Sequence, residues 1–231
     1  MTLFTPLWRP QALVVMIASA YLPGAALAQA RDSDAFAVLQ GAAERFESVE
    51  SLCATFEQVT EVTLIGLTTR GRGTLCEKQP NLFSMRFADP EGDVVLVDGT
   101  YVWTYYPSMD KRQVIRFRAG GAEAGGVEAG FNFFKAFLAE PEVKYVAVHE
   151  GVEDIDGVTT ARLGLRPRGS AAFRSATVWV ATESRLLVRV RINDENGSVR
   201  TLTLSDVRFD PELPEDYFTF HPPPGARIVT R

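Results

Sequence analysis

The chain has 231 residues, is 46% hydrophobic and 23% charged, and carries a formal net charge of −5. That length suits one medium-sized domain with a sizeable core. A mildly acidic chain with scattered Arg and Lys lacks the basic footprint of a nucleic-acid binder, and two histidines and two cysteines leave little for metal or nucleophile chemistry.

The N-terminus places one basic residue, Arg9, before an apolar run from Ala12 to Ala20 and ends it in Ala26-Leu27-Ala28, a small-x-small site followed by Gln29. This is the pattern of a secretory signal peptide cleaved after Ala28. The run is too short to span a bilayer comfortably. No cysteine follows the cleavage site, so residues 29–231 are expected as one soluble, exported domain without a lipid of its own. Asp32 and Ser33 are good helix caps, and Phe36, Leu39, Ala43 and Phe46 then keep helical spacing, which predicts an amphipathic helix from about Ser33 to Ser48.

From Leu52 the apolar period switches to two. Strands are expected at about 52–63, 68–78, 81–88, 93–98, 101–106 and 111–118, with Asp98-Gly99 as a tight turn and Pro80, Pro90 and Pro107 as punctuation. Alternation puts Phe83, Met85 and Phe87 on one face of their strand, and Tyr101, Trp103 and Tyr105 on one face of theirs. Cys53 and Cys76 sit in the two arms of the first hairpin. With the turn at about Leu64-Ile65 they face each other, at a separation a disulfide can bridge. Two buried thiols or a redox couple are the alternatives, although there is no Cys-x-x-Cys spacing.

The stretch from Ala119 to Gly130 is rich in glycine and leads into Phe131-Asn132-Phe133-Phe134-Lys135-Ala136-Phe137-Leu138, stopped by Pro141. It reads as a short helix hung on a flexible arm. Strands resume at about 143–150, 158–166, 174–182, 185–193 and 199–209, with Asn196-Gly197 as the last hairpin turn, and the tail from Asp216 to Gly225 is extended and Pro-rich. About eleven strands in sequential hairpins, with two helical segments, suggest a mainly β fold: an unclosed, highly curved antiparallel barrel.

Catalysis finds little support. His149 and His221 have no Ser, Cys or carboxylate at motif spacing, and there is no nucleophile elbow, metalloprotease motif or phosphate loop. A hydrolase with an unrecognised pair of carboxylates stays open as a third possibility. The aromatic faces admit two readings: an ordinary core, or an apolar cavity closed by the helices. Clustering of the rings in neighbouring strands, apolar stripes on both helices, and a glycine-rich arm beside a Phe-rich segment favour the cavity.

A set of motifs then resembles the periplasmic outer-membrane lipoprotein carrier family, LolA: Phe56-x-Gln58 in the first strand, Gly71-x-Gly73-x-Leu75 in the second, Pro80-Asn81-Leu82-Phe83 opening the third, Val97-Asp98-Gly99 before Val102-Trp103-x-Tyr105-x-Pro107, and Phe218-Thr219-Phe220-x-Pro-Pro-x-Gly225 in the tail. The resemblance implies an open barrel with a helical lid around an apolar cavity. It also implies a monomeric periplasmic carrier, without cofactor, that takes triacylated lipoproteins from an inner-membrane ABC-type release complex to an outer-membrane receptor. The matching cavity positions are Phe46, Phe56, Phe83, Met85 and Trp103, joined by Tyr105 on the same face as Trp103. The lid would be Phe36 and Leu39 with Phe131, Phe134, Phe137 and Leu138. Two departures stand out. Gln79 occupies the place of the family's lid-latching Arg, and Met85 stands where an aromatic is common. A carrier or sensor of another lipid or acylated molecule on the same fold is the alternative implied.

Overall fold

The computed structural model describes residues 24–119, 133–171 and 173–231, with side chains from Asp34 onward and, in the helix that opens at Phe133, from Ala136. The first helix, α1, spans Gly24–Glu47 and begins earlier than the Asp32/Ser33 caps suggested. Alanine is the best helix former, and the Ala-rich run after Gly24 extends the helix back through those caps.

Twelve strands follow: β1 (Ser51–Val62), β2 (Leu67–Lys78), β3 (Leu82–Asp89), β4 (Glu91–Asp98), β5 (Tyr101–Tyr105), β6 (Gln113–Arg118), β7 (Tyr145–Ile155), β8 (Val158–Pro167), β9 (Phe173–Ala181), β10 (Leu187–Asp194), β11 (Ser198–Phe209) and β12 (Arg227–Thr230). Two short helices, α2 (Phe133–Leu138) and α3 (Pro141–Lys144), precede β7. All strands form one sheet in the order β12-β6-β5-β4-β3-β2-β1-β11-β10-β9-β8-β7. Its edges, β12 and β7, do not pair with each other, so the curved sheet is unclosed. Every pairing is antiparallel except β12 on β6, which is parallel.

The eleven strands expected from the alternation are present within a few residues. The twelfth is an addition: Arg227–Thr230 is short and follows a Pro-rich tail, and so gave no periodic signal. The β1–β2 register pairs Cys53 with Cys76 and Val62 with Leu67, around a single 3-10 turn at Thr63–Ile65 closed by Gly66 at φ 64°. The cysteines are joined in a disulfide with Cα atoms 4.1 Å apart, the close spacing of a non-hydrogen-bonded pair.

Two glycines set the curvature on the inner side. A Cβ on Gly73 would run into the carbonyl of Arg86, and one on Gly71 would lie 2.7 Å from the Phe87 ring. The missing side chains let Phe87 fold over β2 and meet Phe56 edge to face, with centroids 4.9 Å apart. The Gly71-x-Gly73 motif is therefore a bending device, placed beside the register shift at Arg72/Gly73.

Candidate functional site

Register assigns every strand residue to one of two faces. Directly paired residues point the same way, so the row Ala54–Leu75–Met85–Val95–Thr104 lies on one face, together with the row Leu52–Glu77–Phe83–Val97–Val102. The same face carries Leu163, Val178, Val190 and Leu202 from the other half of the sheet. These residues form the main apolar cluster, which also takes in Leu39 of α1 and Phe137 of α2. This is the concave face.

The structure brings most of the sequence-predicted residues together there. Phe56, Phe83 and Met85 are fully buried on the concave face, and Phe46 is partly buried against the same cluster. Ala35, Leu39 and Ala42 form the buried stripe of α1, with Phe36 packed beside it. The helix lies across β7 and β9 and against α2. Phe137 is fully buried, with ring centroids 6.1 Å from Tyr145 and 5.7 Å from Phe173. Leu138 is buried beside it. The Tyr145 hydroxyl donates to the Ala136 carbonyl at 2.8 Å and so pins α2 to β7. Burial pushes the Tyr145 phenol up to about 12. Phe131, and the side chain of Phe134, lie outside the described residues, as does the glycine-rich arm.

Trp103 and Tyr105 are a correction. Both point to the opposite, convex face. Trp103 pairs with Leu96, and Leu96 with Ser84, in the row that continues to Cys76 and Cys53. The core-facing residue of that strand is Val102. Periodicity groups Tyr101, Trp103 and Tyr105 correctly but does not say which side of the sheet they take. Their cover is the C-terminal tail: Phe220 stacks on Trp103 at 5.3 Å, and Phe218 and Tyr217 pack over the disulfide. The Trp103 indole donates to Asp98 Oδ2 at 2.7 Å, while Asp98 Oδ1 accepts from the backbone of Thr100 and Tyr101. The Val97-Asp98-Gly99…Trp103 motif thus locks a hairpin.

Gln79, expected as the lid latch, bonds the α1 part of that lid. Its Nε2 donates to the carbonyls of Phe46 and Val49 at 3.2 and 3.0 Å. It secures the C-terminal end of α1 and the turn into β1, while the Tyr145 hydroxyl holds α2. A tyrosine just after a Pro-headed turn carries no sequence signal for that task.

One further region went unread in the sequence. The convex side of β7–β11 carries a polar groove of about 490 Å³ lined by Glu153, Arg162, Trp179, Arg189 and Arg191 among others. The Trp179 indole donates to Glu153 Oε2 at 2.8 Å, and Arg162 pairs with Glu150 at 3.0 Å, so the groove is largely self-satisfied. Among the described residues, no three His, Cys, Asp or Glu are grouped to hold a metal ion, and no helix is long and apolar enough to cross a membrane.

An open antiparallel barrel with its apolar concave side under helices is the class of protein that these elements define. Comparison with known proteins agrees. Residues 47–119 match the family described as outer membrane lipoprotein carrier protein LolA, and residues 138–230 match a family described as predicted periplasmic protein (DUF2092). The chain is 26% identical to the outer-membrane lipoprotein carrier protein of Halorhodospira halophila over 82% of its own length and 84% of the relative's. With the protein of the same name from Bordetella avium it is 27% identical, covering 84% and 90%. A solved structure of an uncharacterized conserved protein from Thermus thermophilus shares the fold, with a TM-score of 0.55 at 16% identity over 86% of this chain and 99% of that one. The resemblance to the lipoprotein carriers read from the motifs is therefore borne out, and it is strongest in the half that holds Phe56, Phe83 and Met85.

Proposed function

We propose that this protein is a periplasmic carrier that shelters the acyl chains of lipoproteins against its concave face and ferries them between membranes. The observation that carries the reading is the burial of Phe137, from a six-residue helix, against Tyr145 and Phe173, in the same apolar cluster as Phe56, Phe83 and Met85. A segment with so little structure of its own is a low-cost element to displace. Burying an acyl chain is worth about 0.8 kcal/mol per CH₂, so a long chain offers upwards of about 10 kcal/mol. A pocket floored by Met and aromatic rings shields such a chain without the tight fit that would slow its release. When no chain is bound, Phe137 and Leu138 cover the face and keep it from aggregating.

Support for the location comes from the description of one matching family as periplasmic and from the naming of the relatives as outer-membrane lipoprotein carriers. The Met1–Ala28 segment serves as the export signal, and residues 29–231 act as one carrier domain. On this reading the partners are triacylated lipoproteins, a release complex in the inner membrane and a receptor in the outer membrane, and the role is not enzymatic. Gln79 and Met85 keep a second cargo class in view, another acylated molecule or a free lipid.

Native mass spectrometry of the protein recovered from periplasm distinguishes the two: acylated polypeptide on the first reading, free lipid on the second. Phe83→Glu is expected to abolish uptake of an acylated peptide while leaving a folded protein by circular dichroism. Loss of folding together with uptake would make this face an ordinary core and sink the proposal.

A further inference from the structure

We infer that the concave face ends in a polar rim, built from Gln58, Tyr106 and Arg200, that receives the ester-bearing head of a diacylated ligand. The inference rests on the acyl-binding reading above and adds an orientation and a ligand class to it. The rows that make the apolar face continue toward the β1–β2 turn, and there their chemistry changes. Phe56 pairs with Leu204, both in the core; two residues on, Gln58 pairs with Leu202, and Thr60 with Arg200. Arg200 also lies opposite the buried Ile192. Gln58, Thr60 and Arg200 therefore project to the same side as the core.

The other half of the sheet supplies matching groups. Asp93 lies two residues before Val95, and Tyr106 two residues after Thr104, which pairs with Val95. Tyr106 packs against the main cluster. Its phenol is pushed up to about 12, first by burial and then by Asp93, with Arg200 pulling the other way.

The cluster is rich in donors. Arg200 brings a guanidinium, 3.5 Å from Asp194 Oδ1. Asp93 is committed, since its two oxygens accept from Ser108 N at 3.1 Å and Ser108 Oγ at 2.6 Å. Gln58 donates to Thr60 Oγ1 at 3.5 Å, while its Oε1 is buried without a hydrogen-bond partner. A buried polar atom left so is costly and calls for a functional reason. Guanidinium and phenol suit the carbonyl oxygens of esters, while the Gln58 Oε1 is an acceptor that suits an N–H or O–H carried by the same head; together they penalise a bare methyl end. The acyl chains would then run away from this rim, toward the row of Leu52, Phe83 and Val102. Arg200 and Asp194 keep 16% and 23% of their side chains exposed, so a head lodged there sits at the water's edge and whatever it is attached to can remain outside.

Glycerol ester carbonyls occur both in a diacylglyceryl-modified cysteine and in a glycerophospholipid, and the test separates the two. Binding is measured for the wild-type protein, Arg200→Gln and Tyr106→Phe with three probes: a diacylglyceryl-cysteine peptide, phosphatidylglycerol, and a neutral alkyl fluorophore with no ester. The variants are expected to weaken an ester ligand by about tenfold while changing the alkyl probe by less than about twofold. Loss on the lipopeptide alone identifies a lipoprotein head, loss on the phospholipid alone a phospholipid head, and loss on both the shared ester carbonyls. Equal loss on all three probes, or no loss on any, overturns the rim. Should Arg200→Gln fail to fold, Tyr106→Phe, which removes a single oxygen, decides alone. If the wild type binds none of the probes, the acyl-binding reading itself fails, and the rim with it.

Discussion

At the scale of single residues, two glycines and two tyrosines do more than their positions in the sequence suggest. Gly73 sits where any Cβ meets the Arg86 carbonyl, and backbone cannot yield as a flexible side chain can. Gly73→Ala is expected to cost at least about 2 kcal/mol, read as a lowered urea midpoint, because the bend that brings Phe87 onto Phe56 would be strained. Tyr106 and Tyr145 are both held neutral up to about 12, chiefly by burial. An unfolded tyrosine ionises near pH 10, roughly. The stability these phenols contribute is therefore complete below that point and is lost as the pH rises toward their folded values. Denaturant melts between pH 9 and 12, roughly, should show a steep alkaline decline that becomes shallower in a Tyr106→Phe/Tyr145→Phe double variant.

At the scale of elements, α1 and α2 cover the same face by different means. α1 is a long helix with a buried stripe, fixed at its C-terminal end by Gln79. Among the described side chains, α2 is held by Phe137, Leu138 and the Tyr145 hydrogen bond. If Phe137 stands in for cargo, Phe137→Ala should lower stability by about 3 kcal/mol and at the same time tighten binding of an apolar fluorophore. Lower stability without tighter binding would make α2 a fixed part of the core. Much of this arrangement is legible in the chain. The Cys53/Cys76 register follows from one hairpin turn, and the alternation of Phe83, Met85 and Phe87 follows from the pleat. The side taken by Tyr101, Trp103 and Tyr105 does not, because a sheet covered on both faces looks the same from either side. The tail that covers them contributes Phe218 and Phe220 without a periodic pattern. The polar rim is equally hidden, since Gln58 and Arg200 become neighbours of the core only through pairings far apart in sequence.

At the scale of the whole molecule, the convex side has its own small core, where the tail packs over the disulfide and Trp103. The bridge closes a loop between residues separated by 23 positions, for which chain entropy gives a stabilisation of about 3 kcal/mol. Reduction should therefore lower the melting temperature while leaving binding of an acylated ligand unchanged, because the bridge lies on the face away from it. A parallel fall in affinity would show that the two faces are mechanically linked.

The strand order has a consequence for how the chain is made. β1, near the start, needs β11, near the end, as its permanent neighbour. During synthesis that seam stays open until almost the whole polypeptide has arrived, and pairings so remote in sequence form slowly. Until then the half-built trough exposes its greasy inside, so a newborn copy is itself a client for the holding factors that escort unfinished chains.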